Sequence, residues 1–284
     1  MRSNSAVWQF ASRALCVAML ALAATGQAYA QPAAPAKKAP AAAAESESQK
    51  QARAILMRMA EFLGHAPSFS VSVNGAYDSV QKSGQKIEWG ENRKVTLSRP
   101  DRLRVEAERS DGGKTLAAFD GKQIVLIDTV NNVYATTPQE GGVDETIVHF
   151  VRDLGMRMPL AMLLVSGLPK EFENRVRSVD YVEKTNILGK PSHHLAARTD
   201  TVDFQVWVAD GDQPLPLRIV LTYRKAPGQP QYWAQLSDWN LAPAITDTTF
   251  SLAAPDGAQK VAFAAELARA SASLRKQSAN KGAK

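Results

Sequence analysis

Ser68-Phe69-Ser70-Val71-Ser72-Val73-Asn74 is the stretch on which the fold class turns. Phe69, Val71 and Val73 alternate with Ser70, Ser72 and Asn74, and side chains of a strand point to opposite faces with a period of two, so one face is apolar and the other wet. The residues just before it keep a different period. Within 52–64, Ile55, Leu56, Met59 and Phe62 return every three or four positions, the spacing of an amphipathic helix, with Gly64 as its stop. The chain therefore changes from helix to strand at Ser68.

Downstream, candidate strands follow at 86–98, 103–109, 114–119, 123–128 and 133–137. They are separated by the turn signals Pro100-Asp101, Asp111-Gly112-Gly113, Asp120-Gly121 and Asn131-Asn132. Such short links favour an antiparallel meander. Residues 143–168 break the series: Ile147, Phe150, Val151 and Leu154 have helical spacing and 159–165 is nearly all apolar, which predicts two helices. Strands resume at 176–185, 193–198, 203–209, 217–224, 231–240 and 249–252, and helical spacing returns at 261–274. The expectation is a mainly β domain with helices (α+β), about eleven strands forming a curved antiparallel sheet or unclosed barrel. The apolar insert at 143–168 would plug its concave face.

Composition changes on either side of this domain. Residues 1–30 read as a cleavable secretory signal, with Arg2 and Arg13 flanking the apolar run 14–25 and Ala28-Tyr29-Ala30 as the cleavage site. That run is shorter than the roughly 20 apolar residues of a membrane span, so the expected location is the periplasm, without an integral membrane segment. Residues 31–50 form an Ala/Pro-rich tether, 51–266 the β domain, and 267–284 a basic, frayed or disordered tail. The single cysteine, Cys16, leaves with the signal, which excludes disulfides and thiolate chemistry from the mature domain. The formal charge of +6 belongs to the flanks: 51–266 carries 24 Lys and Arg against 26 Asp and Glu, a net of −2. A basic nucleic-acid platform is not expected on such a domain.

Catalytic motifs are missing from the sequence: it has no G-x-S-x-G, G-x-x-x-x-G-K-[ST] or G-x-G-x-x-G. His193 and His194 are the most metal-like pair, but neighbours on a strand point apart and do not share one ion. No enzyme activity, cofactor or metal is expected, and a hydrolase using His193 or His194 is the weakest of three readings. Trp89, Trp207, Trp233 and Trp239 lie in predicted strands, where core filling competes with lining a cavity. The cavity and lid candidates are Phe69, Val71, Val73, Trp207 and Trp233 of the strands and Phe150, Met158, Met162 and Leu163 of the insert. Methionine is flexible and polarizable and so adapts to an acyl chain.

Several motifs together resemble a known family. Ser68-Phe69-Ser70, Arg99-Pro100-Asp101-Arg102-Leu103-Arg104, Asp120-Gly121-Lys122-Gln123 and Phe250-Ser251-Leu252-Ala253-Ala254-Pro255-Asp256-Gly257 resemble, in that order, landmarks of the periplasmic outer-membrane lipoprotein carriers. Gly189-Lys190-Pro191-Ser192-His193-His194-Leu195, Asp210-Gly211-Asp212-Gln213-Pro214-Leu215-Pro216, Tyr232 and Leu236-Ser237-Asp238-Trp239 are similar to a narrower group within that superfamily, the predicted periplasmic proteins of domain of unknown function 2092. The resemblance implies an eleven-stranded unclosed barrel, helices plugging its mouth, and an apolar cavity that takes acyl chains in the carriers. It also implies that Arg99 holds the helical lid closed through backbone carbonyls, a task suited to the five donors of a guanidinium. The other reading of Arg99 leaves it in water beside Asp101. The function expected is a periplasmic binding protein for a lipid or lipoprotein acyl chain. An envelope sensor or scaffold with a protein partner is the alternative.

Overall fold

The computed structural model describes residues 45–154, 158–246 and 248–263. The signal, residues 31–44 of the tether and the basic tail lie outside these residues. Helix α1 (Glu47–His65) starts in a capping box: Ser46 Oγ accepts from the Gln49 amide at 3.2 Å, and Gln49 Oε1 accepts from the Ser46 amide at 3.0 Å. It thus begins five residues before the periodicity predicts, because its first turn is polar and leaves no apolar mark. Gly64 is not its stop. A Cβ there would lie 2.7 Å from the Ser166 carbonyl oxygen, so glycine permits a close backbone approach inside the helix. The helix ends at His65, and Ala66 is extended because it precedes Pro67.

Among the described residues, twelve strands form one sheet. They are β1 (Ser68–Val80), β2 (Lys86–Ser98), β3 (Arg102–Arg109), β4 (Lys114–Phe119), β5 (Gln123–Asp128), β6 (Val133–Pro138), β7 (Ser178–Ile187), β8 (Lys190–Arg198), β9 (Val202–Ala209), β10 (Pro216–Tyr223), β11 (Gln231–Asn240) and β12 (Gln259–Lys260). The order is β12-β6-β5-β4-β3-β2-β1-β11-β10-β9-β8-β7. Two antiparallel meanders, β1 to β6 and β7 to β11, join where β11 pairs with β1. The pairing of β12 with β6 is parallel. No strand forms at 249–252: Thr246 and Thr249 bond each other through backbone and hydroxyl groups, closing a turn in place of a ladder. Phe250 is nevertheless buried. Residues 261–263 are not helical, and the rest of the helix predicted at 261–274 lies outside the described residues.

The strands β6 and β7 are distant in this order, β7 at one edge and β6 beside the other, so the segment between them must cross the open side of the curved sheet. In place of two regular helices it folds as α2 (Val143–Val148), a π-helical turn (His149–Asp153), a 3-10 turn (Ala161–Leu164) and α3 (Leu168–Arg175). Pro159 resists a continuous helix, and Pro169 starts α3 in its first turn. The helix α1 packs against β7, β8 and β9, while the insert covers β1 to β5. The apolar residues beneath them include Phe69, Leu97, Leu103, Phe119 and Ile124 on one half and Leu195, Val206 and Ile219 on the other, all buried. Each such side chain contributes about 1.5–3 kcal/mol on leaving water. No helix of the described residues is long and apolar enough to cross a membrane.

Candidate functional site

Two apolar cavities lie side by side beneath the insert. The first, about 50 Å³, is lined by Phe69, Val71, Val73, Val95, Leu236 and Trp239 of the sheet and by Leu160, Ala161, Leu163 and Leu164 of the insert. The second, about 100 Å³, is lined by Leu103, Ala117, Phe119, Leu126 and Phe150. Arg93, Val105 and Met158 line both. Sites for drug-sized ligands are typically about 300–1,000 Å³. The single large hollow implied by the sequence is therefore mostly filled, and what fills it is the insert's own Met158, Leu160, Leu163 and Phe150.

Strand alternation sorts the remaining candidates. Met162 is half-buried against the core but lines neither cavity. Trp207 and Trp233 do not face the cavity. Their neighbours Val206, Val208, Tyr232 and Ala234 point inward, so both indoles fall on the convex face. There Trp207 stacks on His194 with ring centroids 4.0 Å apart, Arg218 lies over both indoles at 5.6 and 5.3 Å, and Trp233 Nε1 donates to Glu88 at 2.9 Å. Trp239 takes the interior place instead. Strict alternation from Leu236 would turn it outward, but a bulge at Asp238, whose φ is 52°, reverses the phase and sets its ring 5.4 Å from Phe69. Trp89 lies at the exposed end of β2.

Arg99, at the end of β2, joins three parts of the covering layer. Its Nε donates to the Ala66 carbonyl at 3.2 Å and its Nη2 to the Leu63 carbonyl at 3.4 Å, both at the end of α1. Its Nη1 lies 3.5 Å from Asp144 of α2, and Asp144 in turn accepts from the Ser166 amide and hydroxyl ahead of α3. Burial lowers the Arg99 pKa, an effect countered in part by the Asp144 charge. Asp101 pairs with Arg102 rather than Arg99.

A charged group inside the sheet was not singled out from the sequence. On β2 the inward positions run Leu97, Val95, Arg93, Glu91, and the last two place an ion pair among apolar neighbours. Arg93 Nη2 donates to Glu91 Oε2 at 2.7 Å, and the buried Tyr232 hydroxyl donates to Glu91 Oε1 at 3.1 Å. Gly75 lies across from Glu91, where a Cβ would crowd the Tyr232 hydroxyl at 3.2 Å and the Trp233 carbonyl at 2.6 Å. Burial and the Glu91 charge raise the Tyr232 pKa. The signal was available, since continuing the alternation of Val95 and Leu97 backwards along β2 reaches both charges.

The histidines point to opposite faces. His193 is held on both ring nitrogens, by the Tyr181 hydroxyl at 3.1 Å and Asp210 at 3.1 Å. His194 Nε2 bonds Gln205 at 3.0 Å on the convex side. His65 closes α1, and His149 bonds Asp153. Among the described residues no group of three His, Cys, Asp or Glu side chains suits a metal ion.

Comparison with known proteins adds a family match. The family described as predicted periplasmic protein (DUF2092) matches residues 52–264. No curated protein matches the chain. Solved structures with a similar fold include an uncharacterized conserved protein from Thermus thermophilus, 12% identical over 75% of this chain and 99% of its own, TM-score 0.44. The lipoprotein LppX of Mycobacterium tuberculosis is 11% identical over 70% of this chain and 100% of its own, TM-score 0.45. A LolA superfamily protein from Nitrosomonas europaea is 13% identical over 71% of this chain and 97% of its own, TM-score 0.38.

Proposed function

Because the chain belongs to the DUF2092 family of predicted periplasmic proteins, we propose that it is a non-enzymatic periplasmic binding protein that takes a lipid or a lipoprotein acyl chain between sheet and insert. The observation that carries this reading is the pair of adjoining apolar cavities under a covering segment built of short turns. An incoming hydrocarbon would displace Met158 and Leu163 and restore the contacts they give up. The exchange leaves the sheet's apolar face covered throughout, so the opening costs less than exposure to water at about 25 cal/mol per Å² would require. Arg99 serves as the latch: it is anchored to Leu63 and Ala66 at the end of α1, and its contact with Asp144 must loosen when the insert lifts.

The test is native mass spectrometry of protein purified from the periplasm without denaturation, together with titration of a fluorescent fatty acid. Copurified lipid or saturable binding of the probe is expected. Lack of both overturns the reading. A second reading, an envelope sensor or scaffold for a protein partner, is favoured by the small volume of the cavities. It predicts that Ala161→Phe, which fills the first cavity, leaves crosslinking of one periplasmic partner intact.

A further inference from the structure

The ion pair inside the sheet is costly unless it has a use. Arg93 and Glu91 share a face with Val71, Val73, Val95, Val105 and Leu236; among such neighbours Glu91, whose side chain is 5% exposed, loses nearly all its hydration, and Arg93, at 22%, much of its own. Glu91 is fully engaged, one carboxylate oxygen with Tyr232 and the other with Arg93. Arg93 is not. Its Nε is buried and meets no acceptor among the described residues. A guanidinium offers five donors in a fixed plane, and a buried donor left unmet costs the full desolvation penalty of that group. Arg93 also lines both cavities, the volume that the proposed ligand would take.

We propose that Arg93 receives the oxygen acceptor at the polar end of an amphiphile, a carboxylate or an ester carbonyl, while the hydrocarbon runs from there between β1, β3 and the insert. This rests on the binding reading above and names its ligand class. Tyr232 and Glu91 brace the guanidinium from behind, and Gly75 leaves the room that the Tyr232 hydroxyl needs to do so. Charge-assisted hydrogen bonds are about twice as strong as neutral ones, so the preference for an oxygen head over a bare hydrocarbon should be large.

The test is displacement of N-phenyl-1-naphthylamine, a probe without an oxygen head, by laurate, methyl laurate and dodecane. Laurate is expected to displace it at about tenfold lower concentration than dodecane in the wild-type chain. Methyl laurate matching laurate assigns the site to a carbonyl; methyl laurate matching dodecane assigns it to a carboxylate. The double variant Glu91→Gln, Arg93→Leu removes both charges and so avoids stranding either one; its fold is checked by circular dichroism. In it the ratio should fall to about twofold or less. If the probe binds but wild-type protein treats laurate, methyl laurate and dodecane alike, or the double variant keeps its preference, Arg93 is only structural and the binding reading survives. If the probe does not bind the wild-type chain, both fall together.

Discussion

Arg99 and Tyr232 show how much a single side chain can hold in this fold. The Arg99 side chain is 14% exposed and its guanidinium ties the end of α1 to α2. Arg99→Leu removes these bonds and should cost about 1–3 kcal/mol. Hydrogen exchange is expected to quicken in residues 143–168 and at the end of α1 while β8 to β10 keep their protection; uniform acceleration would mean that Arg99 supports the whole domain and is no latch. Tyr232 makes a prediction about pH. Burial raises its phenol above the ordinary value of ~10, so the folded chain holds that proton more tightly than the unfolded chain does. Its contribution is fully present below pH ~10 and is lost as pH rises above that value. Denaturant melts at about pH 9 and 11 should show a fall in stability that is smaller in Tyr232→Phe, and equal falls would refute the assignment. Both residues were visible in the sequence, Arg99 through a resemblance and Tyr232 as part of a motif. The contact of Tyr232 with Glu91, 141 positions away, depends on β11 and β2 both pairing with β1.

At the scale of elements, the sheet was the legible part and the insert the less legible one. Residues 86–98, 114–119, 123–128 and 231–240 coincide with β2, β4, β5 and β11, because a half-buried strand writes its period into its own sequence. The insert is apolar on several sides and punctuated by Pro159 and Gly167, so its period identifies helical turns without giving their type. Its side chains decide the size of the site. Leu163→Ala should cost about 2–4 kcal/mol through the cavity that it leaves. The same change is expected to tighten binding of N-phenyl-1-naphthylamine, since the first cavity grows where Leu163 now sits. Loss of stability with no gain in binding would show that the probe goes elsewhere. Trp207 and Trp233 illustrate the opposite error: their bulk suggests an interior place, yet the alternation of their own strands assigns them to the convex face beside Arg218.

For the whole molecule, the near balance of charge in residues 51–266 and the apolar lining of the cavities set the expected response to salt. Probe binding should change by less than about twofold between 0.05 and 0.5 M salt, because screening acts on exposed charges far more than on apolar burial. A steep salt dependence would move the site to the charged surface. What the sequence determined by itself is local: the faces of most strands, the turns between them, the single cysteine and the uneven placement of charge. These depend on neighbours a few residues apart, which every stretch of chain carries with it. Only the tertiary structure decided that β6 and β7 stand far apart in the sheet, that the bulge at Asp238 turns Trp239 inward, and that the space under the insert shrinks to two small cavities. Those outcomes come from close packing between segments distant in sequence, where the volume left over is a small difference between large filled ones.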